Sequence, residues 1–305
     1  MATSLPQRPK KIWRKIDGVL LLDKPLGLTS NDALQKARRL FSAAKGGHTG
    51  TLDPLASGLL PLCFGEATKF SADLLDADKT YEAELCLGVT TDSGDAEGQI
   101  LATGPVQVTA LDIARVLPAF IGDILQIPPM HSALKRDGRP LYELARQGIS
   151  VERAARPVKI HAIDNLGLQG DRLRLRVRCS KGTYIRVLAA DIGAALGCGA
   201  HLTALRRTQV AALDLRAAVS LAALEACEEN ARGQFLLPLD ALLQNLPALA
   251  LDAEAAQRFR HGNPVALPPG LQGKIRAYGA GRLLGIGEAG ADGRLWPKRL
   301  LHLDV

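Results

Sequence analysis

From Arg172 to Cys179 the chain reads RLRLRVRC, an unbroken alternation of arginine with Leu173, Leu175, Val177 and Cys179. Extended backbone resolves that pattern, because successive strand side chains point to opposite faces and so separate the apolar set from four guanidinium groups. Thr80 to Leu87 repeats the period, with Tyr81, Ala83, Leu85 and Leu87 set against Glu82, Glu84 and Cys86. Gly18 to Asp23 is a short apolar run suited to a buried strand, broken by Lys24-Pro25 and Gly27. Helical spacing then appears in Ile185, Leu188, Ala189, Ile192 and Leu196. The expected fold class is α/β (α+β), with a central mixed or antiparallel sheet followed by a small C-terminal β-rich domain. Three fates remain open for the arginine row: acidic cross-strand partners, a solvated edge, or phosphates.

Lys45 to Phe70 carries four glycines before Leu59 and a single carboxylate in that loop, Asp53. Gly46, Gly47, Gly50 and Gly58 permit tight backbone, and Pro54 pushes Asp53 towards extended geometry. An aspartate so held, followed by the apolar run Leu59 to Phe64, can be presented at the rim of a core. The plain alternative is that Asp53-Pro54 starts a turn. A phosphate-cradling loop needs GxxxxGK[ST], which is missing, and no GxSxG elbow accompanies His48, Asp53 and Ser57 as a hydrolase triad would require.

Elsewhere, Ser30 is expected to cap a helix through Arg39. Thr109 and Asp112 form a capping box ahead of a helix bearing Ile113, Val116, Leu117 and Phe120, which Pro118 shortens or bends. Asp252 is expected to cap a helix ending at Gly262, with short strands near residues 274–278 and 283–286.

The text GGHTGTLDPLASGLLPLCFGEATKF resembles the catalytic motif of the TruB-type tRNA pseudouridine synthases. Further motifs of that family follow in order: GVLLLDKPLGLTSNDAL, KTYEA, PPMHSALKRDGRPLYELARQG, CSKGTYIR and GCGAHLTALRRT. The resemblance covers most of residues 18–216 and loosens beyond. It implies the pseudouridine synthase fold, and isomerisation of uridine 55 in the T loop of tRNA without metal or organic cofactor. Asp53 falls on the family's nucleophile, and Arg186 on an arginine that pairs with it, where a bidentate guanidinium would fix the carboxylate. By the same resemblance Tyr81 stacks on the target uracil and assists proton movement, Tyr184 lies beneath the base, and Leu205 closes the apolar pocket. His48 and Lys69 would support RNA contacts and the loop, and Lys24 with Pro25 would support the catalytic loop. Residues 126–159, with seven Lys and Arg against Asp137, Glu143 and Glu152, resemble the family's RNA-binding insertion. Residues 250–305 resemble a PUA RNA-binding domain.

A formal charge of +7 favours an anionic partner, here tRNA through its T stem-loop. Five cysteines, odd in number and without a CxxC pair, argue against a zinc site and a disulfide framework, which fits a reducing cytoplasm. No apolar run reaches about 18 residues, so no membrane partner is expected, and a monomer is. The expected divisions are a basic arm over residues 1–17, a catalytic domain over 18–246, a linker within QNLPALAL from Gln244 to Leu251, and the C-terminal domain. Competing classes are an RNA-binding protein without turnover, a phosphohydrolase, for which DxDxT spacing is missing, and a zinc deaminase, for which HxE with PCxxC is missing.

Overall fold

The computed structural model describes residues 12–132, 134–136 and 138–302. Arg8, Lys10 and Lys11 of the expected basic arm and Asp137 of the insertion lie outside the described residues.

An eleven-stranded mixed sheet forms the larger part. Its path runs Val219–Ser220, Gly18–Lys24, Ala56–Phe64, Ala200–Val210, Lys79–Leu87, Arg172–Cys179, Arg156–Gln169 and Gly122–Gln126. Most neighbours are antiparallel, but Ala200–Val210 runs parallel to Ala56–Phe64. Register follows from the alternation read in the sequence: Leu173 opposes Leu85, Leu175 opposes Ala83, and Val177 opposes Tyr81. A slip of one residue would turn every one of these side chains to water. On the open face Arg176 opposes Glu82, with a 3.0 Å ion pair, and Arg172 reaches Glu84 at 3.8 Å. An acidic cross-strand partner therefore accounts for Arg176, while Arg172 divides between Glu84 and its chain neighbour Asp171, the latter at 3.3 Å. Such exposed pairs contribute only about 0.2–1 kcal/mol each.

Ala56–Phe64 is buried almost throughout because both its faces are covered. Leu60, Leu62 and Phe64 pack with Leu34, Ala37 and Phe41 of the Ser30–Phe41 helix. Leu59 and Cys63 face the other way, into a core shared with Phe70 and Leu74. A third core forms where the Ile185–Ala195 helix covers the inner rows of Lys79–Leu87 and Arg172–Cys179. Tyr81 and Leu205 pack against both the first and the third of these cores, so the seam between them runs through the middle strands.

The first helix corrects the expected cap. Thr29 takes that role, its hydroxyl accepting from Asp32 N–H while Asp32 reaches back, and the helix continues to Phe41. Ser30 is unavailable because its hydroxyl is engaged with the backbone of Leu52. The box at Thr109 and Asp112 forms as expected, and the helix Ala110–Val116 tightens to a 3₁₀ turn over Leu117–Phe120 around Pro118.

Between Gly122–Gln126 and Arg156–Gln169 the chain makes a small hairpin, Lys135–Arg136 with Arg139–Pro140, and the helix Leu141–Arg146. Gln126 and Arg156 are paired in the main sheet, so the excursion from it begins after Gln126 and ends before Arg156.

The C-terminal part is a five-stranded sheet in the order Ala248–Leu251, Lys274–Gly279, Arg282–Ala289, Arg294–Leu300, Val265–Ala266. Ala248–Leu251 lies within the stretch read as linker, yet pairs in parallel with Lys274–Gly279 and is a strand. Asp252 caps the helix Ala253–Arg260 as expected. Leu283, Ile286 and Leu301 join the core that holds Val19, Leu21, Leu59 and Phe70, so the two sheets share apolar packing.

Candidate active site

Asp53 lies in the turn between the strands Gly46–His48 and Ala56–Phe64, and that turn is tied down from several sides. The Ser30 hydroxyl accepts from Leu52 N–H at 2.7 Å and donates to the Leu52 carbonyl at 3.1 Å. Gly27 N–H donates to the Pro54 carbonyl at 2.9 Å, and Ala56 N–H donates to that of Asp53 at 3.0 Å. Lys24 is fully buried and holds the Gly27 turn in place, its ammonium donating to the carbonyls of Pro25 at 2.9 Å and Leu28 at 2.7 Å. Burial pulls the Lys24 pKa down to about 8; the Asp53 charge partly offsets this, and Arg207 adds to it.

Arg207 fastens the same turn to the sheet. Its guanidinium donates to the carbonyls of Leu59 at 2.8 Å, Gly50 at 3.3 Å and Thr51 at 3.5 Å, and the side chain is 1% exposed. Gly58 makes this approach possible: its φ is +100°, and a Cβ there would sit 2.3 Å from the Arg207 carbonyl oxygen.

Asp53 keeps its carboxylate about half exposed, with Arg186 Nη2 3.0 Å from Oδ2. Arg186 is in the first turn of the Ile185–Ala195 helix and almost fully buried. The expected bidentate fork is not formed. The second arm, Nη1, reaches Asp95 Oδ2 at 3.3 Å, and the carbonyls of His131 and Ser93 accept at 2.8 and 3.4 Å. Asp95 is itself fixed, accepting from Ser93 Oγ at 2.6 Å and Glu97 N–H at 3.1 Å. One guanidinium thus bridges an interior carboxylate and an accessible one. An accessible carboxylate with its bearing set by a buried cation is suited to nucleophilic attack.

Asp53, Tyr81, Tyr184, Arg186 and Leu205 line one cavity of about 250 Å³. Tyr81 lies directly across the strand pair from Arg207, and Leu205 across from Ala83 and beside Ala56. Burial raises the Tyr81 phenol, an effect Arg207 partly offsets, and burial raises that of Tyr184, offset in part by the Arg186 charge. Both rings therefore remain neutral at physiological pH and offer flat faces to a planar ligand. A larger cavity, about 370 Å³, lies against Pro128, Arg136 and Arg153 and contains none of these groups.

Three of the residues marked in the sequence are not among the lining residues of the Asp53 cavity: Lys24, His48 and Lys69. Lys24 acts from below, as described. The His48 ring is partly buried, which together with Arg207 lowers its pKa, and its Nδ1 has no protein partner among the described residues. Lys69 donates to Glu66 at 2.7 Å and to the Leu300 carbonyl at 2.8 Å, tying the 3₁₀ turn Gly65–Phe70 to the C-terminal sheet.

Asp95, Lys79 and Gln126 were passed over in the sequence as site residues. Asp95 follows Gly94, whose φ of +75° lets the backbone pass close to the Arg186 carbonyl. Lys79 lines the cavity and donates to the carbonyls of Leu74, Leu75 and Ala77 at 3.3, 2.8 and 2.6 Å. Burial, aided by Arg207, pulls its pKa down to about 8. Gln126 was marked only as the start of a basic segment, with no polar face to single it out. All five cysteines are unpaired, and among the described residues no group of His, Cys, Asp and Glu is arranged to hold a metal ion.

Known proteins resemble this chain over nearly its whole length. Residues 38–185 match the model of the TruB family pseudouridylate synthase N-terminal domain. Residues 186–244 match the tRNA pseudouridylate synthase B C-terminal domain, and 247–301 the C-terminal region of pseudouridine synthase II TruB. The tRNA pseudouridine synthase B of Dechloromonas aromatica is 70% identical over 294 residues, covering 96% of this chain and 98% of that protein. That of Aromatoleum aromaticum is 60% identical over 288 residues, 94% of each chain. Among solved structures, a chain of a Cbf5-Nop10-Gar1 complex superposes with a TM-score of 0.69 at 29% identity, covering 89% of this chain and 78% of that one. With the motifs, the fold and the end-to-end identity in agreement, the chain belongs to the TruB family of pseudouridylate synthases.

Proposed function

We propose that this protein isomerises uridine 55 in the T loop of tRNA to pseudouridine, with Asp53 as the nucleophile. The observation that carries the reading is the 3.0 Å contact of Arg186 with Asp53 at a cavity also lined by Tyr81, Tyr184 and Leu205. Relatives covering nearly the whole chain bear the name tRNA pseudouridine synthase B.

The reaction detaches uracil from C1′ at N1, turns it, and rejoins it through C5, with the C5 proton lost to solvent and N1 gaining one. A uridine stacked in RNA cannot reach a carboxylate in a cavity, so the nucleotide is flipped out, at a cost of a few kcal/mol. Phosphate contacts to a chain of charge +7 offset that cost. Asp53 attacks either C1′ of the ribose, displacing uracil as the N1–C1′ bond breaks, or C6 of the base, giving an adduct in which the N1–C1′ bond breaks next. After the base has turned, C5 bonds to C1′ and the bond to Asp53 breaks, restoring the carboxylate. Arg186 sets the carboxylate's direction. Tyr81 and Tyr184 sandwich the freed uracil and Leu205 closes its side, so that the base turns without escaping.

The segment 127–155 and the five-stranded C-terminal sheet, taken as a PUA-like RNA-binding domain over 250–305, grip the T stem-loop beside this cavity. The protein acts as a monomer in the cytoplasm, in keeping with its five unpaired cysteines. Incubation with tRNA transcripts followed by carbodiimide labelling and primer extension tests the assignment. A single new stop at the T-loop uridine is expected, lost when that uridine is replaced by cytidine; stops elsewhere, or none, would contradict it.

A further inference from the structure

Gln126 ends the edge strand Gly122–Gln126, at the point where the chain leaves the main sheet for residues 127–155. Its side chain is 2% exposed and turned inward. Both ends of the amide are used on one distant residue. Tyr184 N–H donates to Gln126 Oε1 at 3.0 Å, and Gln126 Nε2 donates to the Tyr184 carbonyl at 3.3 Å. This is a strand-like pairing made by a side chain, and it fixes the amide's orientation, since the reverse would set donor against donor and acceptor against acceptor.

The peptide so held is a demanding one. Tyr184 is the residue before the Ile185–Ala195 helix, has extended geometry (φ −98°, ψ 107°), and makes no side-chain cap of its own. Tyr184 lines the Asp53 cavity, and Arg186 follows two positions on. The Tyr184 carbonyl also accepts from Leu188 N–H at 3.1 Å, which keeps the helix's first turn closed. Among the described residues, however, the Tyr184 N–H has Gln126 as its partner and no other, so loss of that amide would let the ring shift while the helix stays in place. The neighbouring root of the inserted segment meets the same turn from the other side, because the His131 carbonyl accepts from Arg186 Nη2 at 2.8 Å.

We infer that Gln126 is a positioning residue for the isomerisation: its amide holds the Tyr184 peptide so that the ring keeps its place in the cavity beside Asp53. This rests on the synthase reading above. The residue touches neither the nucleophile nor the base, and it acts through Tyr184. Misplacement of a substrate-holding group by about 1 Å costs on the order of 100-fold in rate. Gln126→Met fills the same space without either hydrogen bond, so the loss should fall on turnover and not on tRNA binding.

The test measures single-turnover tritium release from tRNA labelled at C5 of its uridines, with tRNA affinity by filter binding and melting temperature for each protein. Gln126→Met should lose about 10- to 100-fold in rate with affinity held within about twofold. In a Tyr184→Leu background the same substitution should cost less than about twofold, because the group it positions is gone. Should the Met variant fail to fold, Gln126→Glu, which keeps the acceptor for Tyr184 N–H, is carried through the same cycle. An unchanged rate, or an equal loss in both backgrounds, overturns the inference while leaving the synthase reading intact. Wild-type protein that releases no tritium overturns both.

Discussion

Arg186 holds Asp53 with one arm and Asp95 with the other, at 3.0 and 3.3 Å, and only the Asp53 carboxylate is open to solvent. The interior pair explains how a guanidinium stays in place when the outer carboxylate is engaged in chemistry: Asp95 and the His131 carbonyl continue to hold it. Removing the inner charge frees the arm that aims Asp53. Asp95→Asn should lower kcat about 100-fold with little change in tRNA affinity. Single-turnover kinetics and filter binding measure both; a parallel loss of affinity would argue that Asp95 supports the fold instead of the aim of Arg186.

Tyr81 supplies a ring and a hydroxyl, and the two are separable. Burial keeps the phenol protonated, so any part it plays in proton movement is as a neutral donor or acceptor. Tyr81→Phe retains the ring and should bind tRNA normally while turnover falls about 100-fold. A rate near wild type would limit Tyr81 to stacking.

Gly58 lets Arg207 lie against the strand that follows the Asp53 turn. With φ at +100° and a Cβ 2.3 Å from the Arg207 carbonyl oxygen, Gly58→Ala must part the strands Ala56–Phe64 and Ala200–Val210. A destabilisation of about 3 kcal/mol is expected by urea unfolding. A stable, active variant would mean the contact relaxes at little cost.

Lys79 gives a pH signature with a definite sign. Its folded pKa is about 8 against the ordinary lysine value, so between these the unfolded chain holds a proton that the folded one lacks, and stability rises with pH. The stability of wild type relative to Lys79→Met should increase by about 1.4 kcal/mol per pH unit above 8 until the ordinary lysine value is reached. A flat difference would show that the ammonium is not desolvated by its burial against Leu74, Leu75 and Ala77.

Much of this was legible in one sequence because its constraints are local. Alternation in Arg172–Cys179 and Thr80–Leu87 set the strands and their inward rows, and the glycine-rich turn with its motif marked Asp53. Cross-chain competition was not legible. Ser30 looked like a cap because nothing nearby shows that Leu52 takes its hydroxyl, which leaves the capping to Thr29. QNLPALAL looked like a linker because its partner strand, Lys274–Gly279, comes much later. Asp95 and Gln126 gain meaning only when the helix beginning at Ile185 is laid against them.

The most direct measurement is tritium release from tRNA labelled at C5 of its uridines, comparing wild type with Asp53→Asn. Release reports breakage of the C5–H bond, which binding alone cannot cause. Wild type should release a single equivalent per tRNA, dependent on the T-loop uridine, while Asp53→Asn binds tRNA and releases none. Release by Asp53→Asn at the wild-type rate would contradict the role of Asp53, and wild type that binds tRNA but releases nothing would contradict the synthase reading itself.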